Sequence, residues 1–180
     1  MIQGDIVVRM VKPVDYMYQM LWMKIGVLIT NLITYLIPVF VVIMIVFPDV
    51  IHFGINIPVF IVCMCISFLV MFTFEFIIGI FTFYTESVWG LSTLKDLIIS
   101  FFAGVEVPVA FFPGWLKSIA DVLPFKSLYN DPLQILMNGS LGWQDYLRVI
   151  GFQLMWCAVF WLLAKWMYAV MQKKIIVNGG

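Results

Sequence analysis

From Ile25 to Phe47 the chain runs for 23 residues without a charged side chain. As a helix that run reaches about 35 Å, enough to cross the roughly 30 Å hydrocarbon core of a bilayer with some tilt. Ile57 to Phe74 adds 18 uncharged residues, and after Glu75 the apolar character resumes as far as Phe83. Helices apolar on every side belong in lipid or deep inside a large protein. In lipid the backbone must satisfy its own hydrogen bonds, so runs of this kind become helices. The balance of residues agrees, with 64% hydrophobic and 11% charged, where a soluble domain carries about 25% charge. The chain reads as an integral membrane protein. Its net charge of +0 offers no basic field to nucleic acid.

Four spans are predicted, at about 25–47, 57–83, 96–111 and 147–171, within a single transmembrane domain covering 1–180. The expected fold class is all-α: four transmembrane helices, an outer re-entrant helical hairpin at about 104–138, and an N-terminal cytoplasmic amphipathic segment at 1–24. That segment mixes Arg9, Lys12, Asp15 and Lys24 with Ile, Val, Met, Tyr and Trp, and Pro13 divides it into two short pieces, as suits an amphipathic segment lying at a membrane surface or against a partner protein. Pro38 predicts a kink in the first span. The hairpin is read from SFFAGVEVPVAFFPGWLKSIADVLPFKSLYNDPLQIL, Ser100 to Leu136. Gly104, Pro108, Pro113 and Gly114 interrupt it, yet Val105 to Trp115 holds a single charge, Glu106. It is too broken for one helix and too apolar for a solvated loop, a combination tolerated where protein or a wet cavity satisfies the backbone.

Within the hairpin, Trp115, Leu116, Ile119 and Leu123 share a face and predict a helix from Gly114 to Leu123, with Lys117 and Asp121 placed to pair. Asn130-Asp131-Pro132 offers a cap and a first-turn proline for a second helix through Met137. Tyr84 to Asp96 reads as a polar hinge. Trp143, Tyr146, Trp156, Trp161, Trp166 and Tyr168 supply interfacial anchors along Leu141 to Lys174.

Four spans put both termini on one side. Arg9, Lys12, Lys24, Lys95, Lys165, Lys173 and Lys174 then face Lys117, Lys126 and Arg148, seven against three, so both termini are expected in the cytoplasm. Glu75 lies inside the second span, where an acid costs on the order of 2 to 3 kcal/mol and should face the bundle. Two readings of it stay open: a pathway or helix-locking acid, and a protonated or snorkelling acid near the interface. Cys63, Cys65 and Cys157 read as buried structural thiols. The lone His52, the absence of ligand-spaced His, Cys or Asp, of a GxxxxGKS loop and of a nucleophile elbow leave no catalytic or metal residue in view. No cofactor is expected, and any ATP must be bound by another chain.

GDIVVRMVKPV (Gly4 to Val14), FFAGVEVPVAFFPGWL (Phe101 to Leu116), LPF (Leu123 to Phe125), the proline of NDP and the terminal GG together resemble permeases of type-2 ATP-binding-cassette exporters. The resemblance covers nearly the whole chain in the right order. Val7 departs from it, standing where the GD-x-D pattern has its second acid. The family usually has six spans, so the chain matches its C-terminal two-thirds, and Met1 is expected to be an internal start, a truncation or a fragment boundary. What the resemblance implies is a multi-pass permease subunit of the cell membrane. It would move a substrate outward by alternating access, powered by a separate ATPase subunit beside a second permease copy or a sister permease, with membrane lipid around it. Gly4, Asp5, Arg9, Lys12 and Pro13 would form the ATPase interface, with Tyr84 to Lys95 as a second contact. Gly104, Glu106, Pro108, Phe112, Pro113 and Trp115 would form an outer gate. Two rival readings are a non-transporting assembly or immunity module derived from a permease, and a proton-coupled secondary transporter working through Glu75.

Overall fold

The structure, a computed structural model, describes residues 15–47, 54–82, 88–138 and 141–178, leaving out the side chains of 88 and 173–178. The chain divides into two compact units, Met1–Val50 and Ile51–Gly180.

The first unit holds one long helix, α1 (Tyr16–Val46). Asp15 caps it: its carboxylate accepts the Met17 N–H at 3.0 Å, satisfying one of the donors a helix start leaves open. The helix widens to a π turn at Leu32–Leu36, where the Ile37 N–H bonds back to the Leu32 carbonyl. Pro38 explains the slip, because it has no N–H for the Thr34 carbonyl and the ladder must re-register around it. Trp22, Tyr35 and Ile45 are 70%, 66% and 75% exposed. An apolar helix with so bare a surface is built for lipid.

The second unit contains α2 (Asn56–Thr82), α3 (Val88–Phe102), a 3-10 turn (Val109–Phe111), α4 (Gly114–Val122), α5 (Phe125–Met137) and α6 (Trp143–Asn178). The long helices α2 and α6 pack together, and α5 lies against both. Cys63, Val70, Thr73, Ile77 and Ile80 form the buried stripe of α2, and Tyr146, Gln153, Phe160, Ala164 and Met171 that of α6. Spacings of three, four and seven keep each set on one face. Lipid tails are as apolar as these side chains, so packing and polar bonds select the faces rather than water exclusion. Gln153, fully buried, donates to the Ser127 carbonyl at 2.6 Å and to Ser67 Oγ at 3.1 Å. It thereby ties α6 to α5 and α2. Asn56 accepts from the Tyr146 hydroxyl and donates to the Asn138 carbonyl at 3.5 Å. Such bonds are worth about 0.6 to 2 kcal/mol each between membrane helices.

Three helices among the described residues are long and apolar enough to cross a membrane: Tyr16–Val46, Asn56–Thr82 and Trp143–Gln172. This overturns the expected fold of four spans, re-entrant hairpin and N-terminal amphipathic segment. Residues 16–24 are the first turns of α1 rather than a surface helix, and 1–14 lie outside the described residues. The supposed third span ends as α3 at Phe102 after 15 residues, about 22 Å and too short for the hydrocarbon core.

Gly104 stops that helix. Its N–H bonds to the Phe101 carbonyl at 3.1 Å, the Val105 N–H bonds to the Ser100 carbonyl at 3.0 Å, and its φ is +81°. This is a Schellman motif with glycine in its left-handed position. In place of a hinge over Tyr84 to Asp96, α3 already runs from Val88; 83–87 lie outside the described residues. The helix expected to begin at Asn130 starts at Phe125, with Pro132 inside it. The Pro124 carbonyl accepts the Ser127 N–H at 3.0 Å and nucleates the helix before the Asn-Asp-Pro signal is reached. Asp121 pairs with Lys126 at 2.5 Å instead of Lys117.

A Cβ on residue 104 would meet Val109 Cγ2 at 2.8 Å and the Val109 nitrogen at 3.3 Å. Gly104→Ala should therefore lose about 1 to 2 kcal/mol from the left-handed conformation alone, read as a lower Tm in detergent micelles. Gly114→Ala, whose Cβ would meet nothing within 4 Å, should stay within about 0.5 kcal/mol of the parent.

Candidate functional site

Glu75 lies seven residues before the end of α2 (82 − 75) and Lys95 seven after the start of α3 (95 − 88). A short connection between packed helices brings such positions level. Lys95 Nζ lies 3.2 Å from Glu75 Oε1 and 3.0 Å from Asp96 Oδ1. The side chains of Lys95 and Glu75 are 12% and 24% exposed. Burial by itself would lower the pKa of Lys95, but its bonds to Asp96 and Glu75 outweigh this and hold it above the ordinary 10.5. The acid read inside the second span thus has a basic partner, and the pair shows the bundle less net charge than a lone carboxylate. Lys95 carries a signal in the sequence only when the two helices are folded about their connection.

The proposed gate residues divide between buried and exposed positions. Phe112 is buried with Val109 and Ala120, against Phe102 and Leu116, and stacks on Phe101 with ring centres 5.3 Å apart and planes at 22°. Gly104 forms the turn described above. Glu106, Pro108, Pro113 and Trp115 are exposed. An aromatic relay fastens this segment to the long helices: Phe102 to Phe125 at 6.4 Å, Phe125 to Phe74 at 5.3 Å, Phe74 to Phe160 at 5.5 Å. Gly4, Asp5, Arg9, Lys12 and Pro13 lie outside the described residues, as does His52. The thiols are not uniformly buried: Cys63 is, Cys157 is half-buried, and Cys65 is exposed. Among the described residues no group of three or more His, Cys, Asp or Glu could hold a metal.

Gln153, Ser67 and Asn56 are the polar residues that the sequence reading passed over, and Tyr146, read there as an interfacial anchor, is instead buried and donates to Asn56. Gln153 Oε1 and Trp156 Nε1 are buried with no hydrogen-bond partner. A lone amide in an apolar run is itself the sign of an inward-facing position.

A family model described as ABC-2 family transporter protein matches residues 2–175. The chain belongs to this family. ABC-2 proteins of this kind are non-catalytic permease components, so this is a multi-pass membrane protein and not an enzyme. The match takes in the Gly4–Val14 segment and all three long helices of the ABC-2 chain. No curated protein and no solved structure matches it.

In this ABC-2 chain, Lys95→Met should lower stability by about 1 to 3 kcal/mol, since it strips a partly buried carboxylate of a charged donor. Adding Glu75→Gln should restore part of that loss, as a double-mutant cycle on thermal unfolding would show. A raised lysine pKa means that the contribution is complete below pH 10.5 and fades as pH rises through the folded value. The deficit of Lys95→Met should accordingly be constant between about pH 6 and 9.

Proposed function

We propose that this chain is the membrane permease subunit of an ATP-driven exporter, moving its substrate outward by alternating access while a separate subunit hydrolyses ATP. The observation that carries this reading is the ABC-2 family match over residues 2–175. The sequence holds no phosphate-binding glycine loop, so the energy of ATP must reach the chain mechanically through a docked partner. Gly4, Asp5, Arg9, Lys12 and Pro13 are the proposed docking residues, and a second permease, identical or a sister, completes the path. Substrate moves only where inward- and outward-facing states bind it differently. Gly104, Glu106, Pro108, Phe112, Pro113 and Trp115 are the proposed gate, with the turn at Gly104 and the Phe101–Phe112 stack as its bearings.

Lysine and arginine gather at both ends of the chain, with Arg9, Lys12 and Lys24 at one and Lys165, Lys173 and Lys174 at the other. Both clusters favour cytoplasmic termini.

Affinity purification of the full-length protein from native membranes should recover an ATPase subunit, and exchanging Arg9, Lys12 and Pro13 together for alanine should reduce its recovery several-fold. An ATPase-free preparation that still moved substrate on an ion gradient would rule the reading out. Reporter fusions at the C-terminus should report the cytoplasm, and an external signal would reject the proposed topology.

A further inference from the structure

A cleft of about 440 Å³ opens between α4, α5 and the first turns of α6, within the size range of small-ligand sites. On α6, Asp145, Arg148, Val149 and Phe152 line it, at spacings that make one helix face. Asp131 and Ile135 line it from α5.

Most of its charges are already committed. Asp121 and Lys126 neutralise each other at 2.5 Å. Asp145 accepts the Gly142 N–H at 3.1 Å. Two groups remain. Arg148 makes no hydrogen bond or ion pair among the described residues. Among the described residues Asp131 accepts one bond, from Asn130 Nδ2 at 3.3 Å; burial, with a smaller push from Asp121, raises its pKa against the pull of Lys126 and that bond. The cleft therefore offers an under-compensated carboxylate and a free guanidinium, above apolar walls of Ile135, Val149 and Phe152.

We propose that this cleft binds the zwitterionic head of an aminophospholipid, with its phosphate on Arg148, its ammonium on Asp131 and its acyl chains along Val149 and Phe152. A guanidinium fork matches phosphate in two parallel hydrogen bonds. A lipid suits the place better than a soluble zwitterion, because the α6 residues concerned belong to the first turns of a membrane-length helix. Trp143, 65% exposed, opens that helix, as tryptophans do at headgroup level. The site needs neither ATP nor transport, so it stands or falls separately from the exporter reading.

Native mass spectrometry of the full-length protein tests it, with phosphatidylethanolamine, phosphatidylglycerol and diacylglycerol at equal concentration and free phosphoethanolamine as competitor. Phosphatidylethanolamine should be retained about tenfold or more over the other two lipids, the size expected of charge-assisted bonds. Arg148→Ala and Asp131→Asn should each abolish that preference, and Arg148→Lys should keep part of it. Asp131→Asn removes a half-buried charge and should keep its Tm, which separates lost binding from lost folding. Equal retention of the three lipids, or an unchanged preference in both variants, overturns the site. Competition by phosphoethanolamine as strong as by the lipid overturns the lipid assignment.

Discussion

The amide of Gln153 joins three helices at one point, reaching the Ser127 carbonyl of α5 and the Ser67 hydroxyl of α2 from its place on α6. In water, apolar burial would hold these helices whatever this side chain did. In lipid that drive is gone, and an amide facing the tails would lose every partner it has. The rotation of α6 is thereby fixed. Once Gln153 faces inward, Tyr146, Phe160 and Ala164 follow it on the same stripe, and Tyr146 arrives within reach of Asn56. Two polar contacts along one seam set the register of the whole second unit.

The broken segment after α3 is ordered by different means. Gly104 ends the helix through its left-handed backbone, and Phe112 then folds back to stack on Phe101. Neither device uses a charge. What anchors α3 to the long helices is the Lys95–Glu75 pair at one height and the Phe102–Phe125–Phe74 relay at another. A single lysine there offsets two carboxylates, one on each helix, which makes it the electrostatic centre of that contact.

Much of this was legible in the residues. Uncharged runs located α1 and α2, Gly104 announced an interruption, and the Trp115-Leu116-Ile119 spacing found α4 almost to the residue. The errors share one cause: local signals were read without the contacts that outbid them. Asn130-Asp131-Pro132 looks like a helix start, yet Pro124 had already started one. Tyr16 to Lys24 looks amphipathic, yet the Asp15 cap and an uninterrupted stretch beyond it carry one helix straight through. The third span failed on length, because apolar residues continue to Ala110 while the helical backbone stops at Phe102. Hydropathy measures what a segment can dissolve in, and glycine decides how far it can remain a helix. Gln153 and Lys95 escaped for a plainer reason, since a polar side chain gains its meaning from a partner 26 or 20 residues away.

These two modes of attachment divide the second unit into parts of unequal firmness. α2, α5 and α6 are stitched by buried amide and hydroxyl bonds, which would have to be broken in a medium that replaces none of them. α3 and the turn beyond it are held by stacked rings and by an ion pair with partly exposed members, contacts that can slide or re-form without stranding a backbone group. In an exporter worked from a docked ATPase, the compliant part is where small motions at one end can become a change of shape at the other. For the exporter proposed above, the distribution of polar bonds makes α2, α5 and α6 the firm frame, and α3 with the turn at Gly104 the part that would yield.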